Sequence, residues 1–244
     1  MRLLTRLAPV ALAGLVLAGC GGGGSRAADP GAQSRPPVAR TSSSPSAAPL
    51  RAVLTTTTTS IVIHGKPAGP VQATLSPTTT YGSARTFLVD RVEGGWVHVF
   101  LPTRPNGSTG WVAGTDVRTE QIPDSIVVSL AKLTITVTVS GHDPLTAPAA
   151  IGTAQNPTPK GRFYVTDRVQ PNNPNGAYGS LALGLSAHSD TLSEFGGGDG
   201  QIGIHGTNEP ASIGKAASHG CVRVPPRVVD LLKLVPLGTP VTIS

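Results

Sequence analysis

The segment 201–224, QIGIHGTNEPASIGKAASHGCVRV, gathers the side chains of this chain that are best suited to covalent chemistry: His205, His219 and Cys221. A free thiol has a pKa of about 8.5 and is mostly protonated at neutral pH, so it needs a base or oriented amides to act as a nucleophile. Glycines surround all three side chains, which lets the backbone turn sharply and approach a ligand closely. The pattern points to acyl transfer, with Cys221 as nucleophile. His205 ends an expected strand, 201–205, and is the candidate base that takes the thiol proton and returns it to a leaving amine. No Asp or Asn stands at a telling spacing to fix the imidazole tautomer, so the backbone carbonyl of Gly206 is the candidate orienter. His219 lies two residues from Cys221 in a turn rather than a strand, and is read as lining the site or bracing the loop. The amides of Gly220 and Cys221 are the candidate oxyanion donors.

Two other readings compete. Cys221 could be a buried structural cysteine, since a thiol packs as a small hydrophobe. His205, His219 and Cys221 also have the side-chain types of a zinc set, although their spacing fits no helical ligand pair. The expectation is no metal and no cofactor.

The compartment favours the nucleophile. Arg2 and Arg6 precede an apolar run, 7–17, that is too short to span a bilayer, and Leu17-Ala18-Gly19-Cys20 resembles a bacterial lipobox. That resemblance implies a signal peptide over 1–20 and an acylated Cys20. The protein would then be lipid-anchored at the outer face of the cytoplasmic membrane and reach into the wall. The chain has two cysteines, so a lipidated Cys20 leaves Cys221 without a disulfide partner in an oxidising environment. Segment 21–54, rich in Gly, Ser, Pro and Ala, reads as a disordered tether. The net charge of +6 is spread, with no basic run or aromatic platform, which argues against a nucleic-acid partner.

The elements that must position these residues are mostly β. Thirty glycines, 23 prolines and only 13% charged residues favour short strands and turns over a helical bundle. In 55–120, strands are expected at 60–64, 71–75, 86–92, 96–101 and 110–113, with turns at Gly94-Gly95 and Pro105-Asn106-Gly107. Gly95-Trp96-Val97-His98-Val99, with Gly110-Trp111-Val112 further on, resembles the end of a bacterial SH3-like small barrel, and both wall binding and simple packing remain open for it. In 123–244, strands are expected at 125–131, 133–139, 162–168, 181–185, 201–205, 221–224 and 241–244, with a loop or ribbon over 141–161. One short helix starts at Pro226 and carries Val228, Val229, Leu231, Leu232 and Val235 at helical spacing.

His205-Gly206-Thr207-Asn208, Ile213-Gly214 and Ser218-His219-Gly220-Cys221-Val222-Arg223-Val224, together with Thr158-Pro159-Lys160-Gly161-Arg162-Phe163, resemble the YkuD-type L,D-transpeptidases over roughly 123–244. The resemblance implies a β-sandwich-like catalytic domain with Cys221 acylated, His205 as base, Gly206 as orienter and His219 lining the site. Ser218 and Arg223 match supporting positions near substrate, and both pairing with a substrate carboxylate and a structural role remain open for Arg223. Segment 170–200 resembles the family's substrate lid, with Tyr178, His188 and Asp190 as candidate contacts. The implied activity is 3→3 cross-linking of peptidoglycan tetrapeptide stems, which serve as donor and acceptor. The alternatives are hydrolysis of the same acyl-enzyme, an L,D-carboxypeptidase, and a catalytically silent wall-binding lipoprotein.

Overall fold

The computed structural model describes residues 49–54 and 59–244. The expected signal peptide, Cys20 and nearly all of the expected tether lie outside the described residues.

Seven strands form the first sheet: β1 (Leu50–Leu54), β2 (Ile61–His64), β3 (Val71–Leu75), β4 (Thr86–Glu93), β5 (Trp96–Phe100), β6 (Thr109–Ala113) and β7 (Val117–Gln121). Their order in space is β3-β2-β6-β5-β4-β1-β7. Gly94 and Gly95 both take positive φ, 55° and 82°, which the tight β4–β5 hairpin requires. Alternation along β5 buries Val97 and Val99 and leaves Trp96, His98 and Phe100 half-buried. The expected end of the tether at residue 54 moves back: Leu50–Leu54 is strand β1, paired antiparallel to both β4 and β7.

The second sheet holds β8 (Ser125–Ser129), β9 (Thr134–Thr138), β10 (Leu145–Pro148), β12 (Gly161–Val169), β13 (Ala182–His188), β14 (Gln201–His205), β16 (Val222–Arg223) and β17 (Pro240–Ile243). Its order is β10-β9-β8-β17-β12-β13-β14-β16. A small parallel pair, β11 (Ile151–Gly152) and β15 (Ala216–Ser218), closes beside it. Helix α1 (Pro226–Leu232) begins on proline, whose missing N–H costs nothing in a first turn, and buries Val228, Val229 and Leu232. The expected β-sandwich-like domain is present as one curled eight-stranded sheet whose strands share a single core cluster with the short helix. The expected lid, 170–200, is two loops, 170–181 and 189–200, separated by β13.

The two sheets share packing. Tyr164 of β12 is fully buried in the cluster of Phe87, Leu88, Val97 and Val99 beneath the first sheet. Arg51 of β1 ion-pairs with Glu120 at 2.8 Å and donates to the carbonyl of Leu237 at 2.7 Å. The β5–β6 loop reaches the second lid loop: Arg104 donates to the carbonyls of Leu192 at 2.9 Å and Asp199 at 2.8 Å, and to that of Ser189.

Candidate active site

β14 and β16 run parallel with Ile204 beside Val222 and His205 beside Arg223. Ile202, Ile204, Val222 and Val224 are buried in the core, so strand alternation turns Gly203, His205, Cys221 and Arg223 to the opposite face. One step back along the register sets Gly203 beside Cys221, and the Gly203 N–H donates to Cys221 Sγ at 3.4 Å. His205 then stands one diagonal from the thiol on the same face, within side-chain reach across adjacent strands.

His205 is 4% exposed, and its Nδ1 lies 2.5 Å from the carbonyl oxygen of Gly206. A carbonyl only accepts, so Nδ1 carries the ring proton and Nε2 keeps a lone pair that can take another. The Tyr178 ring packs against the imidazole, with centroids 4.7 Å apart. That packing depends on two backbones in close approach. A Cβ on Gly179, whose φ is +65°, would stand 2.8 Å from Gly206 Cα.

The turn before Cys221 is tied from several sides. Gly220 has φ +120°, and a Cβ there would meet Ile202 at 2.9 Å. Its carbonyl accepts from Thr158 Oγ1 at 2.8 Å, and the Thr158 hydroxyl oxygen in turn accepts from the Gly152 N–H at 2.8 Å. The Gly220 N–H donates to Ser218 Oγ at 3.1 Å, and Ser218 Oγ donates to the Cys221 carbonyl at 2.5 Å. Two expectations change here. The Gly220 amide is already bonded within the loop, so it is not a free oxyanion donor. Ser218 is 3% exposed, and although it lines the space at Cys221 its hydroxyl is spent on bracing the turn.

Arg223 lies on the thiol's face but is paired with Glu209, its Nη1 2.5 Å from Oε2. His219 is exposed, its ring 5.2 Å from that of Phe195 on the second lid loop. His188 and Asp190 are held at the junction with the first sheet. His188 Nε2 lies 3.0 Å from Asp199 Oδ2, and the Asn106 amide donates to Asp190 Oδ1 at 3.0 Å. His64 and His98 belong to the first sheet, where His64 meets Trp96 edge-on and His98 packs tilted against Trp111. Among the described residues, no three His, Cys, Asp or Glu side chains gather as a metal set.

Burial pushes the Cys221 thiol up, against smaller opposing effects of the Gly203 N–H and the Arg223 charge. Burial also lowers His205, to about 4, with Arg223 adding to the effect and the Gly206 carbonyl opposing it. Tyr178 is raised, first by burial and then by the neighbouring Cys221 and Tyr81. At neutral pH the pair is therefore a neutral thiol beside a neutral imidazole, an arrangement suited to general-base activation as the thiol attacks. Two cavities meet at Cys221 and share His205, Tyr178 and Phe195: one of about 270 Å³ along Leu183 and Gln201, the other of about 90 Å³ along Ser218 and Arg223.

Comparison with known proteins agrees with this geometry. Residues 123–243 match the family model described as the YkuD L,D-transpeptidase catalytic domain. YkuD of Bacillus subtilis strain 168, named as an L,D-transpeptidase, is 36% identical over 151 residues, covering 59% of this chain and 84% of its own. The chain belongs to the YkuD family of L,D-transpeptidases. The YkuD protein of Bacillus licheniformis is 40% identical over 126 residues, covering 51% of this chain and 68% of its own. Among solved structures, an L,D-transpeptidase from Mycobacterium smegmatis is 16% identical with a TM-score of 0.39, covering 66% of this chain and 91% of that one. The catalytic domain of the E. faecium L,D-transpeptidase is 24% identical with a TM-score of 0.35, covering 50% and 96%.

Within this YkuD site, four contributors escaped sequence reasoning. Gly203 donates to the thiol, Thr158 holds the turn, Glu209 neutralises Arg223, and Phe195 covers His219. Gly203 had a readable signal, since QIGIH alternates and places a glycine on the face opposite two isoleucines. The others depend on contacts between segments distant in sequence.

Proposed function

We propose that this chain is a peptidoglycan L,D-transpeptidase that works through an acyl-enzyme on Cys221. The observation that carries the reading is the shared face of β14 and β16, where the Gly203 N–H meets Sγ and His205 stands one diagonal away with its Nδ1 on the Gly206 carbonyl. Cys221 Sγ attacks the carbonyl of the third residue of a tetrapeptide stem, whose amide bond to the terminal D-Ala is the one that breaks, while His205 Nε2 takes the thiol proton. The tetrahedral intermediate collapses as His205 gives that proton to the departing amine of the terminal D-Ala. This leaves a thioester, which conserves the energy of the broken peptide bond outside the cell, where no ATP is at hand. An amine from a neighbouring stem attacks the thioester, loses a proton to His205 and regenerates the thiol, giving a 3→3 cross-link. With Gly220 occupied, the Cys221 amide is the oxyanion donor left from the expected pair. Two cavities meeting at one thiol support transfer between two peptides over hydrolysis. A lipid on Cys20 would hold the enzyme at the outer face of the membrane, within reach of both stems.

The test is intact-mass measurement of the folded chain after exposure to a carbapenem and, separately, to a tetrapeptide muropeptide. A single adduct on wild type that is absent from Cys221→Ala, together with cross-linked dimers, is the expected result. Tripeptide monomers without dimers would convert the reading to an L,D-carboxypeptidase. An unacylated wild type would overturn it.

A further inference from the structure

A cavity of about 620 Å³ lies at the junction of the two sheets rather than at the thiol. Its walls come from both: Thr79, Tyr81 and Arg85 from the turn between β3 and β4, and Asp167, Asp199 and Gln201 from the second sheet and its lid loop. It shares Tyr81, Gly198 and Gln201 with the 270 Å³ cavity that reaches Cys221, so the two spaces adjoin along Tyr81. Tyr81 is 58% exposed, and its hydroxyl would stand 3.9 Å from a Cβ on Gly198 of the lid loop.

The charges in the outer space are not balanced alike. Asp167 accepts from Thr79 Oγ1, and Asp199 accepts from the Gln201 N–H and contacts His188 Nε2, so both acids are engaged by protein groups. Glu194 is exposed at the rim. Arg85 differs. Its guanidinium is half-buried and held from behind, Nε donating to the Ser76 carbonyl at 2.6 Å and Nη2 to that of Thr78 at 3.2 Å. None of the ion pairs among the described residues includes Arg85; the nearby Asp167 carboxylate favours its charged form without closing to a salt bridge. A planar cation anchored through two of its nitrogens, lining the cavity with no salt-bridge partner among the described residues, is a recognition element for a carboxylate.

We infer that this outer cavity is a binding subsite for the part of the donor stem remote from the scissile bond, and that Arg85 binds a free carboxylate of that stem across Tyr81. The inference rests on the proposed stem-peptide activity and extends it: the first sheet supplies substrate recognition to the catalytic sheet.

The experiment compares two tetrapeptide muropeptides, one with a free carboxylate at its acidic second residue and one with that group as a carboxamide. Each is assayed for D-Ala release by wild type, Arg85→Gln and Tyr81→Ala. Wild type should prefer the free carboxylate by roughly tenfold to a hundredfold in kcat/KM, the scale of one charge-assisted hydrogen bond in a partly desolvated site. Arg85→Gln should bring the ratio close to one. Because Arg85 also braces Ser76 and Thr78, Tyr81→Ala provides a second probe at an exposed position. It should raise KM for both stems more than it lowers kcat, and keep the preference. Equal wild-type use of the two stems, or a preference that survives Arg85→Gln, overturns the subsite. Carbapenem acylation of wild type separates the failures: if it is absent, the acyl-enzyme reading falls; if it is present with no carboxylate preference, only the subsite falls.

Discussion

Thr158 donates its hydroxyl proton to the carbonyl of Gly220, the residue immediately before Cys221, at 2.8 Å. That hydroxyl also accepts from the Gly152 N–H, so a single buried side chain links the β11 strand to the turn that carries the thiol. Thr158→Val keeps the shape and removes both bonds, leaving a buried N–H and C=O unpaired. The expected loss is about 1–3 kcal/mol of stability, read by thermal or denaturant unfolding, with slower carbapenem acylation. A variant as stable and as fast as wild type would show that the turn is held by its other contacts.

The neutral thiol and imidazole set a pH profile. Because burial raises Cys221 above the ordinary thiol range, its alkylation by iodoacetamide should be slow at pH 7 and should still be climbing above pH 8.5. A plateau reached near pH 6–7 would mean a preformed thiolate and refute the general-base arrangement.

The same burial has a consequence for stability. His205 is held near 4 in the folded chain and rises to about 6.5 when unfolded, so the unfolded state binds the extra proton first as the pH falls. Its contribution is stabilising above about pH 6.5 and is progressively lost between there and about pH 4. His205→Gln should flatten the stability curve in that window, measured by urea midpoints at pH 4.5 and 7.5.

Arg104 ties both ends of the second lid loop to the first sheet through three carbonyls. Arg104→Ala should leave the β cores intact while loosening the loop. Limited proteolysis within 189–200 should accelerate, and KM for a stem substrate should rise several-fold with a smaller change in kcat. Unchanged cleavage would show that Phe195 on His219 is enough to hold the loop.

Arg223 and Glu209 form a pair that is open to water on the acid's side, where Glu209 is 64% exposed. Glu209→Gln is therefore expected to cost less than about 1 kcal/mol in stability. Arg223→Ala, which alters the wall of the cavity shared with Cys221, should reduce kcat/KM by about tenfold, the scale of one charged contact. Equal effects on catalysis would place the arginine's role in structure alone.

Much of this site could be read along the chain because its logic is local. The alternation in β14 and the glycine after His205 are written in adjacent residues, and the 3.4 Å contact of Gly203 with the thiol follows from strand register. Strands β1 and β7 were not legible for the opposite reason. VRTEQ is polar, and LRAVL adjoins low-complexity sequence; their strand character comes from pairing with each other and with β4 rather than from side-chain pattern. The Gly220 amide was misassigned because a serine two residues earlier can claim a nearby N–H, a local habit of Ser side chains. Tyr81 lies more than a hundred residues from Cys221 in sequence, and only tertiary packing brings it to the cleft.

Tyr164 belongs in sequence to the segment that carries the family resemblance, yet its ring completes the core beneath the other sheet. A cut at residue 123 would therefore strip an aromatic plug from one half and its socket from the other, and would also release the lid from Arg104. The two halves should melt as one, with a single calorimetric transition. In this chain the border of a recognisable sequence family does not coincide with the border of a core.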